Sequence, residues 1–73
     1  MGRVDKGHAV EFSRRLRSAM SKRGMSSKVL SQETGLAKTT VDYYVSGKRV
    51  PTSSSLARIR NVLGCSWEEL LGE

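Results

Sequence analysis

The chain predicts an all-α fold, a compact bundle of five helices. Three observations carry that expectation. Apolar residues recur at i, i+4, i+7 and i+8 in successive stretches, the period of a one-sided helix. No stretch alternates with period two, and no hairpin signal appears. Glycines, a proline and small hydroxyl residues punctuate the chain where one apolar stretch gives way to the next. Size agrees with the pattern. Seventy-three residues make one small domain, which buries only about 60% of the surface its unfolded form exposes. One Cys and one His exclude an internal disulfide framework and a zinc site built from a single chain. A domain without such staples is expected to persist as a helical bundle or as part of an oligomer.

Taken in order, residues 1–7 (MGRVDKG) lack periodicity and read as a flexible arm carrying Arg3 and Lys6. A single domain is expected over residues 8–73. From about His8 the first helix places Phe12, Leu16, Ala19 and Met20 on one stripe, with Arg14, Arg15 and Arg17 off it. Lys22-Arg23-Gly24 closes it as a basic last turn before a C′ glycine. Ser26 caps a short second helix with Val29 and Leu30 turned inward, ended by Gly35. The third begins around Ala37 and stops at Ser46-Gly47; Ala37, Val41, Tyr44 and Val45 form its apolar set. Lys48 to Pro51 is a loop, after which Thr52 caps a fourth helix carrying Leu56, Ile59, Val62 and Leu63. Ser53-Ser54-Ser55 follows a proline and precedes an apolar period, so it reads as a first helical turn rather than a linker. Ser66-Trp67-Glu68-Glu69 fits a capping box opening a last short helix with Trp67, Leu70 and Leu71.

Charge narrows the class of partner. Thirteen Lys and Arg against seven Asp and Glu give a net +6, which favours a polyanion without naming one. All thirteen bases lie in residues 1–60 with four of the acids, whereas residues 61–73 hold Glu68, Glu69 and Glu73 and no base. The longest run of apolar residues is three, Tyr43 to Val45, and the N-terminus has no apolar export segment; a soluble cytoplasmic protein is expected. Enzymatic roles find no support: no base neighbours a nucleophile, no carboxylate pair shares a cleft-facing stripe, and no glycine loop or metal-ligand set is present. No metal or cofactor is expected.

The most informative constellation is a pair of short helices joined by Thr34-Gly35-Leu36-Ala37. That connection is too short for antiparallel packing and suits the large crossing angle of a helix-turn-helix, spanning about residues 26–45. In such a motif the second helix is held by its apolar face and offers the other to a major groove.

The stretch GMSSKVLSQETGLAKTTVDYYVSGKRVP resembles the phage repressor and Cro-type family, the lambda-repressor-like (XRE-like) helix-turn-helix domains. Leu30 and Ser31 stand where the family has a leucine and a small residue. Gly35 and Leu36 match its turn, Val41 its buried aliphatic on the recognition helix, and Ser46-Gly47-Lys48-Arg49 with Pro51 its polar-Gly-basic run before a proline. LARIRNVLGCSWEELL follows the fourth and fifth helices, so the resemblance covers about residues 10–71. Three departures stand out. Ala37 replaces the Ser or Thr that many members place at the recognition-helix cap, an omission worth on the order of 1 kcal/mol. Lys38 then puts a cation at the positive end of the helix dipole. Two broken local rules at one spot point to function, because an arriving phosphate or guanine relieves both. Ser27 stands where some members grip a phosphate with glutamine, leaving more to backbone N–H groups. Met20 and Val45 replace a buried Arg–Glu pair, avoiding the desolvation of two charges.

The resemblance implies a sequence-specific, double-stranded-DNA-binding transcriptional regulator, a repressor on a pseudo-palindromic operator bound as a dimer. It implies base-reading by Lys38, Thr39, Asp42 and Tyr43. Lys38 can donate to guanine O6 or N7, Thr39 can offer a hydroxyl or touch a thymine methyl, and Asp42 can accept from cytosine N4. Asp42 can also repel wrong sequences, and Tyr43 can turn to phosphate or sugar. Phosphate contacts are implied for Ser26, Ser27, Thr40, Ser46, Lys48 and Arg49, with Arg3 and Lys6 as arm contacts. The other bases of the first helix, with Lys22 and Arg23, read as a solvated face. Tyr44 and Cys65 read as core. Trp67, Leu70 and Leu71 can complete the core or form a dimer surface. The competing reading is a protein-interaction module, antitoxin-like or an adaptor, on the same scaffold.

Overall fold

A computed structural model describes residues 6–72, and these form five helices: α1 (Lys6–Lys22), α2 (Ser27–Thr34), α3 (Lys38–Ser46), α4 (Ser53–Leu63) and α5 (Trp67–Leu71). Among the described residues there is no strand. α1 starts two residues ahead of the predicted position, so Lys6 is helical, while Arg3 and most of the predicted arm lie outside the described residues.

α1 is the spine against which α3 and α5 pack, while α2 packs on α3 and α4. Its stripe buries Phe12, Leu16, Ala19 and Met20 as the periodicity predicts, and extends a turn further back through Ala9 and Ser13. Ser13 tolerates burial because its hydroxyl donates to the Val10 carbonyl at 2.8 Å, leaving no orphaned donor. Leu30, Val41, Ile59, Leu63 and Leu70 join the same core. Phe12 and Tyr44 meet edge to face, with centroids 6.3 Å apart. Met20 is buried in this core and Val45, partly buried, packs against it, so neither position leaves a charge to desolvate.

Helix starts follow the hydroxyl-cap rule at three points: Ser26, Thr52 and Ser66 each accept from the N–H three residues on. The serine cluster after Pro51 opens α4, as expected.

Four expectations need correction. Val29 is 39% exposed rather than turned inward, because an eight-residue helix packed on two neighbours covers only a narrow stripe. Ala37 is likewise exposed, as the residue before α3 rather than part of its apolar face. Leu70, one of three residues considered for a dimer surface, is fully buried; Trp67 and Leu71 of α5 stay exposed. Finally, Arg23 is a clamp rather than a solvated charge. It donates to the carbonyls of Ala19 and Leu63 and holds Glu69 through both terminal nitrogens, at 3.1 and 3.2 Å. One side chain thus ties the ends of α1 and α4 to α5. Glu69 is drawn to Arg23, so the capping box of α5 rests on Ser66.

Candidate nucleic-acid interface

The bend between α2 and α3 is built from side-chain chemistry as well as backbone. The Thr34 hydroxyl donates to the Leu30 carbonyl at 2.7 Å and accepts from the Leu36 N–H at 3.2 Å, bridging the end of one helix to the approach of the next. Gly35 sits between them at φ +79°, a left-handed conformation that costs glycine least. A Cβ there would also stand 3.3 Å from the Arg58 guanidinium. Arg58 donates to the Thr34 carbonyl at 3.0 Å, so this base of α4 closes the C-terminus of α2.

α3 is held from behind by Val41 and Tyr44, both buried. Its opposite face carries Lys38, Thr39, Asp42, Tyr43 and Ser46, spaced to share one side of the helix. Lys38, Thr39 and Ser46 are exposed, Asp42 and Tyr43 half-exposed, and Thr40 lies half-buried at the margin. All four predicted base-reading residues are therefore brought to one surface. Two contacts organise it. The Lys38 ammonium lies 3.1 Å from Asp42 Oδ2 and 3.4 Å from Oδ1. The Arg49 guanidinium sits over the Tyr43 ring, 5.2 Å from its centroid.

The loop after α3 returns to the same face. Gly47, at φ +81°, is buried so closely against α1 that a Cβ would stand 3.3 Å from Ser13 Oγ and 3.4 Å from Val10 Cα. The Lys48 N–H then closes the helix on the Tyr43 carbonyl at 2.9 Å. Both side chains of Lys48 and Arg49 are exposed, and among the described residues neither joins an ion pair. By contrast Arg14 and Arg15 are both paired with Glu11 of their own helix. Lys48 and Arg49 thus set two adjacent cations without an acidic partner beside α3.

Ser26 and Ser27 open α2. Ser26 Oγ accepts from the Val29 N–H at 3.2 Å and Ser27 is half-buried as the first helical residue. The Ser46 hydroxyl faces solvent and donates to the Tyr43 carbonyl at 3.3 Å. Lys6 is the first residue of α1; Arg3 lies outside the described residues.

Sequence reasoning did not foresee three features: the Lys38–Asp42 pair, the Arg49–Tyr43 contact, and Arg23 and Arg58 as structural ties. The i, i+4 spacing of Lys38 and Asp42 was a usable signal. The other two depend on where a loop or a distant helix arrives.

Cys65 is buried, and desolvation pushes its thiol above the ordinary range, away from the reactive thiolate. On α5 the Trp67 ring is covered on one face by the Arg60 guanidinium at 4.9 Å. Next to Leu71 an apolar groove of about 240 Å³ is lined by Phe12, Val50, Pro51, Leu56 and Leu70. No described helix is long and apolar enough to cross a membrane.

Comparison with known proteins agrees with this geometry. No curated protein and no solved structure matched the chain. A family model did match, over residues 15–72, which takes in the helix-turn-helix, the basic loop and both following helices. The chain belongs to the Cro/C1-type HTH DNA-binding domains.

Proposed function

We propose that this DNA-binding regulator is a sequence-specific transcriptional repressor that occupies a pseudo-palindromic operator as a dimer. The supporting observation is the composite face on which Lys38, Thr39, Asp42 and Tyr43 lie together beside Lys48 and Arg49, backed by buried Val41 and Tyr44. Nine residues of α3 extend about 14 Å, which suits a major groove about 12 Å wide. Side chains of α3 read base edges there. Lys48, Arg49, Ser46, Thr40 and the start of α2 at Ser26 and Ser27 take the flanking phosphates, with Arg3 and Lys6 following the duplex.

The dimensions suit a dimer. The described domain is 31 Å in its longest direction, whereas equivalent half-sites lie about 34 Å apart along DNA. One α3 serves one half-site, and a second copy is needed for the other. Trp67 and Leu71, with the neighbouring groove, offer apolar surface for that contact. The site of action is the cytoplasm, on the nucleoid.

Selection from a randomised duplex pool, with the mass of the bound species recorded, tests this reading. Enrichment of half-sites one helical turn apart by a two-copy complex supports it. Absence of enrichment above non-specific binding favours the second reading, a protein-interaction module, to which the exposure of Trp67 (42%) and Leu71 (43%) lends weight. In that case charge reversal at Lys38 and Lys48 leaves partner binding intact.

A further inference from the structure

We infer that Lys38 and Asp42 act as one recognition unit, in which Asp42 is the positioning residue that makes the lysine selective. The inference rests on the DNA-reading role proposed for α3.

Helix stability does not account for the pair. Its side chains are 57% and 48% exposed, so solvent screens the attraction. The base precedes the acid, the less favourable order along a helix dipole. It also sits on the first turn of the helix whose start has no side-chain cap. A pairing that does little for the helix, on the face turned to a groove, is better explained by what it presents.

A lone lysine discriminates poorly. Its ammonium is a point charge on a flexible stem, and accepts any purine N7, carbonyl or phosphate as partner. Tied to Asp42 at 3.1 Å, the ammonium keeps two donors free while a carboxylate acceptor stands beside it. That donor–acceptor separation is the length of one ordinary hydrogen bond. A base pair offers the matching edge, because its major-groove keto oxygen and amino group are themselves hydrogen-bonded partners. With a keto base under Lys38 and an amino base under Asp42, all four groups are satisfied at once. G·C meets this through O6 and N4–H, and T·A through O4 and N6–H. Guanine adds N7 for the remaining ammonium proton, ranking G·C above T·A. In C·G and A·T the order reverses, setting donor against donor and acceptor against acceptor. The unit therefore reads keto against amino at one base pair.

The test uses the full chain and its Lys38→Ala, Asp42→Ala and doubly substituted forms, each with folding confirmed by its melting curve. Duplex pools are selected with each protein, and four duplexes carrying the four base pairs at the position that Lys38→Ala relaxes are then titrated. Wild type should prefer G·C and then T·A, with C·G and A·T weaker by roughly 5- to 150-fold. Asp42→Ala should relax that same position while binding random duplex more tightly, having lost a negative charge. The double variant should relax it no further, as expected of residues acting together. Relaxation of two different positions, or losses that add, overturns the unit and leaves base reading by α3 standing. Failure of the wild type to enrich any sequence overturns both.

Discussion

At the start of α5, Ser66 accepts from the Glu69 N–H and two glutamates occupy the first turn. At the start of α3, Ala37 makes no side-chain cap bond, no acid lies in the first turn, and Lys38 stands there instead. Local rules favour the first arrangement on both counts and disfavour the second on both. The same division runs through their surroundings. α5 is roped to two other helices by Arg23, whereas the two charges of α3 are spent on one another. One end of the domain is built to hold, and the other gives up local stability to present a polar, partly cationic surface.

Substitutions can break that division or sharpen it. Leu70→Ala empties a fully buried position on α5 and should lower unfolding free energy by about 2–5 kcal/mol, seen as an earlier midpoint in urea. A neutral result would mean that α5 is an appendage. Reversing Lys48 and Arg49 to Glu should weaken duplex binding at least about tenfold and flatten its salt dependence, with little change in the melting curve. Comparable loss of stability would make those residues structural.

Capping offers a finer probe. Ser66→Ala should cost about 1 kcal/mol, and Ala37→Ser should stabilise by a similar amount; equal and opposite shifts in thermal midpoint would show that α3 lacks what α5 has. Acid provides the smallest effect. The Arg23 guanidinium hydrogen-bonded to Glu69 holds its carboxyl below the ordinary 4.5, and Arg14 does the same for Glu11. A depressed carboxylate contributes stability above its unfolded value and loses it as pH falls through its folded one. Stability should therefore decline on the acid side of pH 4.5, and Glu69→Gln should make that decline shallower.

The sequence reveals the core more fully than the surface. Apolar spacing alone picks out Phe12, Leu16, Ala19 and Met20, and hydroxyls before apolar periods mark three helix starts, because these are local effects within a turn or two. Val29 and Leu70 were harder, since which of two adjacent apolar residues is covered depends on the neighbour's position. The polar face of α3 was likewise readable from its spacing and resemblance. Its internal pairing was less so, and the Arg49–Tyr43 contact depends on a loop path that no periodicity encodes. Arg23 and Arg58 show the remaining gap: a base looks the same in a sequence whether it faces solvent or closes a distant helix end.

The most direct test of the α3 surface is duplex affinity measured across a range of salt concentrations, for the wild type and for a Lys38→Glu, Lys48→Glu double variant. If about six phosphates are neutralised, log K should fall with log salt at a slope of about −5 for the wild type. The variant should bind far more weakly, with a shallower slope and an unaltered fold. Affinity that ignores salt, or that survives the two reversals, would contradict the assignment of this face to DNA.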